Sequence, residues 1–247
     1  MAGEAKGADS GADSGADVGA GAVAGAVAGA VAGAVTGAVT GAVTVTGAEI
    51  DTAAAGPEHR AGLVGLFGAT GSPCYCRFFH FDGTNNEWLA RCAQEPGENR
   101  RELERAIDSG SDEARGVVAL ARREAGGQPE IVGWLKVAPA AVVRKAYERR
   151  LYKDLPCFSG DRTGVFLIGC ALVHPAWRRR GVATALVAGA VRVAPAWGAR
   201  ALEALPRRPK EPVADEELWT GPISAFAANG FVEVHEMEPY PVLRRTL

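Results

Sequence analysis

Residues 165–190 (VFLIGCALVHPAWRRRGVATALVAGA) narrow the fold more than any other stretch of this chain. The first nine, Val165–Val173, form an unbroken apolar run rich in β-branched side chains, the pattern of a short strand buried on both faces. Pro175 ends that strand, and from 184 to 193 small and apolar residues recur as they do in a packed helix. Arg178, Arg179 and Arg180 therefore fall where a strand turns into a helix N-terminus, a place where the helix dipole already supplies partial positive charge. Taken alone, a basic run is an ordinary solvated turn. An anion changes the balance, because it accepts the free N–H groups of the first helical turn and neutralises the arginines. Gly181 and the small Ala183 let a phosphate approach the main chain closely. The loop suits a polyphosphate.

The order of buried strand, His174-Pro175 turn, arginines, glycine, helix and a second strand at 200–205 resembles the GNAT superfamily of acetyl-CoA-dependent acetyltransferases. The family signature, R/Q-x-x-G-x-G/A after an apolar strand, is matched by Arg178, Gly181 and Ala183. Residues 131–137 (IVGWLKV) are similar to the preceding central strand, and 219–231 (WTGPISAFAANGF) to the C-terminal helix that ends in Gly-Phe. The likeness covers 48–247 and is strongest from 131 onward.

The first 49 residues are of another kind. They are almost wholly Gly, Ala, Val, Thr, Asp and Ser in four-residue units of the GADS, GAVA and GAVT type. Residues 18–48 carry no charge, which on length alone is enough to cross a bilayer. They contain no Leu, Ile or Phe, however, and the preceding flank is acidic where a targeting segment is basic. Glycine disfavours helix, and there is no large side chain to build a core. Residues 1–47 are therefore expected to be a disordered low-complexity extension rather than a membrane span, with 48–247 as the working domain. Gly-Ala-Val repeats also stack as strands, and 42–50 (AVTVTGAEI) is an alternative first strand of the domain. The first 49 residues hold five acidic residues and Lys6, leaving 24 acidic and 26 basic residues in the remainder. That near-neutral balance argues against a nucleic-acid partner.

Five cysteines, an odd number without framework spacing, point to reduced thiols and a cytoplasmic location. Cys74, Cys76, His80 and Cys92 raise a zinc site, but C-x-C-x3-H departs from the usual C-x2-C pairs. Their aromatic neighbours Tyr75, Phe78, Phe79 and Phe81 favour core packing, and no metal is expected.

Elsewhere the spacing predicts helices at 57–67, 99–107 and from Pro222, with a helix or ordered loop at 140–152. It predicts strands at 74–81, Gly116–Ala121, 131–137, 200–205 and 231–237. Alternating strands and helices with one crossover across the signature helix imply a mixed α/β fold. The resemblance adds that the central sheet is mostly antiparallel, flanked by helices, and splayed at an acyl-CoA cleft.

What the resemblance implies chemically is transfer of the acetyl group of acetyl-CoA to a primary amine of a small-molecule or peptide acceptor. Main-chain groups of Ala171, Leu172 and Val173 would bind the pantetheine and polarise the acetyl carbonyl. The N–H groups of Arg178, Arg179, Arg180, Gly181, Val182, Ala183 and Thr184, with the arginine side chains, would hold the phosphates. The amine needs a base, directly or through water. Glu203, in the strand after the signature helix, is a candidate if it faces the cleft and a solvent-facing residue if it does not. Many GNAT enzymes carry an acidic tyrosine four residues before the glycine of the final Gly-Phe, where this chain has Phe226. Tyr240 is a candidate replacement acid. A catalytically degenerate acyl-CoA-binding domain and an assembly protein working through its repeat remain alternatives, and a homodimer stays open.

Overall fold

A computed structural model describes residues 41–45, 48–122 and 127–247. In chain order the strands and helices are β1 (Gly41–Val45), β2 (Ala48–Ala54), α1 (Arg60–Ala69), α2 (Asn85–Gln94), α3 (Pro96–Asp108), β3 (Gly116–Ala121), β4 (Glu130–Pro139), α4 (Arg144–Tyr147), β5 (Val165–Val173), α5 (Val182–Val193), β6 (Ala201–Ala204), α6 (Ile223–Ala227), β7 (Val232–His235) and β8 (Val242–Thr246). The strands make one sheet in the order β1-β2-β3-β4-β5-β6-β8-β7. Every neighbouring pair is antiparallel except β5 with β6. This is the mixed α/β sheet that the strand–helix pattern implies, and it is mostly antiparallel, as the resemblance adds.

The apolar run of β5 is buried on both faces because helices cover both. On one face α5 packs Val182, Leu186 and Val193 against Val117, Leu135, Phe166 and Ile168. Close approach is possible because β4 and α5 each place a glycine at the contact. A Cβ on Gly133 would lie 2.8 Å from Val182, and one on Gly189 would lie 2.7 Å from the Thr52 hydroxyl. Arg192 then donates to the Thr52 carbonyl at 2.7 Å, fixing α5 along the sheet. On the other face Leu63, Leu66 and Phe67 of α1 and Leu103 and Ile107 of α3 cover Val118, Trp134, Cys170 and Leu172.

Several elements differ from expectation. Residues 74–81 are not a strand: Tyr75 and Cys76 take left-handed φ of 44° and 54°, and Phe78–His80 is a 3-10 turn. The aromatics still pack inward, with Tyr75 stacked on Phe67 at 4.8 Å. The 140–152 segment, expected as helix or ordered loop, is a loop with one helical turn, α4. Two elements, α2 and β8, are additional, and β8 inserts between β6 and β7. The described residues of 42–50 fall in β1 and β2, which pair antiparallel with Gly41 opposite Thr52. The expected disordered extension at 1–47 otherwise lies outside the described residues. No helix among the described residues is long and apolar enough to cross a membrane.

The α1–α3 layer also encloses titratable groups. Lys136 is buried and donates to the Glu113 carbonyl, and burial pushes its ammonium down to about 8. His80 has a buried Nε2 without a hydrogen-bond partner, and burial, aided by the Lys136 and Arg77 charges, pulls its imidazole down to about 3. Between that value and the ordinary 6.5 the unfolded chain binds the proton and the folded one does not. The protein is therefore expected to lose stability as pH falls from about 6.5 toward 3. Denaturant unfolding followed across that range should show the loss, and His80→Phe should flatten its slope by about one proton. An unchanged slope would place the loss entirely on the paired carboxylates.

Candidate functional site

The parallel partners β5 and β6 are paired only from Val165↔Ala201 to Ile168↔Ala204. Beyond Ile168 they part, and β5 runs on alone on that side for five more residues. In the resulting gap the Ala171 N–H donates to the carbonyl of Trp219 at 2.7 Å. The gap opens into a cleft of about 540 Å³. Ala171, Leu172, Val173, Arg178, Arg179, Gly181, Val182, Ala183 and Thr184 line it, nine of the ten residues that the sequence reading placed on the acyl-CoA side.

Local chemistry explains how the loop reaches this cleft. His174 ends β5 by accepting the Ala176 N–H on Nδ1 at 3.2 Å, so its ring holds the turn that follows. Trp177 is buried and donates to Glu130 at 3.2 Å, anchoring the loop to β4. Arg180, the tenth residue, does not line the cleft. Its guanidinium lies 5.5 Å from the Trp177 ring, a cation–π contact that turns it outward.

Arg179 and Gly181 both adopt positive φ, 58° and 76°, and Gly181 is the residue before the first turn of α5. No side chain caps that helix, so its first N–H groups face the cleft without a side-chain acceptor. Arg178 reaches back to the Val173 carbonyl at 3.4 Å and outward to Glu216 at 2.5 Å. Arg179 meets Asp215 at 2.5 Å. An uncapped twelve-residue helix, two arginines and a left-handed glycine form a donor set that fits a diphosphate.

The two candidate acid–base residues are not brought to the cleft. Glu203 is fully buried, neither cleft-facing nor solvent-facing. Its Oε1 accepts from Arg162 at 3.0 Å and from Arg244 Nε at 2.9 Å, and its Oε2 accepts from Tyr147 at 2.9 Å and Arg162 at 2.7 Å. All its lone pairs face cations or a hydroxyl, which makes it the centre of an ion cluster with no capacity left to take a proton from an amine. Burial, aided by the Glu203 carboxylate, holds the Tyr147 phenol well above its ordinary range. Tyr240 is half-buried in a separate apolar cluster with Tyr152 and Leu205. Phe226 is buried edge-to-face against Phe231 at 5.3 Å, so the usual tyrosine position serves packing.

The cleft also contains residues that the sequence reading did not single out. Thr70, Gly71, Ser72 and Pro73 form one lip, and Asp215, Glu216, Leu218 and Trp219 form the other. Among the described lining residues the only carboxylates are Asp215 and Glu216, both ion-paired. No group of three or more His, Cys, Asp or Glu among the described residues is arranged to hold a metal.

Comparison with known proteins gives the same family as the loop. A model described as the acetyltransferase (GNAT) family matches residues 84–214. Similar solved structures include a GNAT-family acetyltransferase from Listeria monocytogenes 4b F2365, at 15% identity and TM-score 0.44, covering 84% of this chain and 100% of that one. The PaiA N-acetyltransferase of Thermoplasma acidophilum in complex with coenzyme A matches at 8% identity and TM-score 0.43, covering 80% and 99%. Mycobacterium smegmatis RimJ in complex with CoA-disulfide matches at 15% identity and TM-score 0.45, covering 84% and 86%. No curated protein matches the chain in sequence.

Proposed function

This chain belongs to the acetyltransferase (GNAT) family, and we propose that it moves the acetyl group of acetyl-CoA to a primary amine in the cleft between β5 and β6. The observation that carries this reading is the uncapped start of α5 beside Arg178, Arg179 and Gly181 at the mouth of the gap. Bound acetyl-CoA supplies an activated acetyl thioester. The N–H groups of Val182, Ala183 and Thr184 hold its diphosphate, and Arg178 and Arg179 neutralise the charge. The main chain of Ala171, Leu172 and Val173 orients the pantetheine, and the Ala171 N–H, directed into the gap, polarises the carbonyl. The acceptor enters between the 70–73 lip and Trp219. Since Glu203 is saturated by its partners, the amine displaces the CoA thiolate and gives up its proton to water.

A panel of small-molecule and peptide amines, assayed for free CoA release from acetyl-CoA, tests the proposal. Amine-dependent release by the full chain is the expected result. CoA binding without release for any amine class would favour an acyl-CoA-binding domain that has lost catalysis.

A further inference from the structure

The second lip of the cleft makes its contacts with the donors assigned above to acyl-CoA. Asp215 accepts from Arg179 at 2.5 Å, and Glu216 accepts from Arg178 at 2.5 Å. A few residues on, the Trp219 carbonyl accepts the Ala171 N–H at 2.7 Å. Two carboxylates thus stand at the cations proposed for phosphate, and one peptide carbonyl stands at the N–H proposed for the acyl group. We infer that residues 215–219 are an internal strap that occupies the cofactor's contacts with chemically matched groups, and that acyl-CoA binds by displacing it. The inference rests on the proposed function and adds a self-blocking step to it.

The strap is lightly held. Its 3-10 turn, Asp215–Leu218, buries no side chain. Each of its two ion pairs keeps one partner open to water, Glu216 at 63% beside Arg178 at 24% and Arg179 at 79% beside Asp215 at 31%, and pairs screened in this way are weak. A diphosphate brings more charge to the same arginines than the two carboxylates do and can also accept from the α5 N-terminus, which the strap leaves uncapped. Glu217, inside the strap, adds a further exposed pair with Arg207 at 2.5 Å. Just beyond the strap Gly221 has φ of 91°, and a Cβ there would come within 3.1 Å of the Phe226 ring. That glycine suits a hinge, because side chains rarely adopt this backbone and one here would crowd the ring.

Hydrogen exchange on the full chain, with and without saturating CoA, tests the strap directly. Binding is expected to slow exchange at 182–184 and to speed it at 214–221, since the second segment is released as the first is covered. Slowing at both would mean that the segment closes over the ligand and would overturn the inference. Calorimetry with CoA adds a second reading. Asp215→Asn combined with Glu216→Gln should bind about three- to tenfold more tightly than the wild type, the worth of two exposed ion pairs. Equal or weaker binding by the variant overturns the strap while leaving the cleft assignment intact. Failure of both proteins to bind CoA overturns the cleft assignment and the strap with it.

Discussion

Replacing Glu203 by alanine is expected to lower the unfolding free energy by about 3–5 kcal/mol. The carboxylate sits at 0% exposure between the guanidinium groups of Arg162 and Arg244, which are themselves only 24% and 30% exposed. Removing it leaves two partly buried cations facing each other and deprives the Tyr147 hydroxyl of its acceptor. Arg162 also lies 4.6 Å from the Tyr147 ring and 5.1 Å from Phe158, so the packing around it loosens as well. Urea unfolding of the two proteins measures the difference. The same residue separates a structural from a catalytic role. In Glu203→Gln, kcat/KM measured below the melting transition should change by less than about tenfold, whereas loss of a general base costs about 10²–10⁴-fold. A hundredfold loss with unchanged stability would return Glu203 to the reaction.

Gly181→Val is expected to weaken acetyl-CoA binding by about 100-fold, the worth of about two charge-assisted hydrogen bonds. Two effects combine. At φ of 76° a β-branched residue is strained, so the substituted chain is pushed away from the conformation that starts α5. The added side chain also occupies the surface that the phosphate must approach. The cost to the fold should be smaller, about 1–3 kcal/mol, because α5 remains anchored at Gly189, Arg192 and Leu186. Ligand-induced rise in melting temperature reads both quantities: the unliganded midpoint falls modestly, and at acetyl-CoA about 100 times the wild-type Kd the stabilisation drops from about 2.7 to about 0.4 kcal/mol. A retained shift would mean that the loop does not hold the phosphates.

The central β-loop-α unit was legible because its signals are local. An apolar run, a proline, a glycine and a helical pattern lie consecutively from 165 to 193, and the structure keeps them as β5, the arginine loop and α5. The missed helix α2 also had a local signal: Thr84 and Glu87 have the T-x-x-E spacing of a capping box, and the two side chains do cap the helix. The 74–81 segment misled because aromatic content is shared by strands and tight turns, and only backbone φ at Tyr75 and Cys76 distinguishes them. Glu203 was beyond local reading. Its partners come from α4, from the loop before β5 and from β8, and the insertion of β8 beside β6 is a topological fact that periodicity does not carry. The strap belongs to the same class: 207–217 reads as a charged excursion, and nothing in it names Arg178 and Arg179 as partners.

Acyl-CoA binding in the gap between β5 and β6, headed by the first turn of α5, underlies every step proposed for this chain. A crystal structure of the full chain grown with CoA tests it most directly. The diphosphate is expected at the N–H groups of Val182, Ala183 and Thr184 and the pantetheine along Ala171–Val173. CoA bound elsewhere on the protein, with the gap still closed by Trp219, would contradict it.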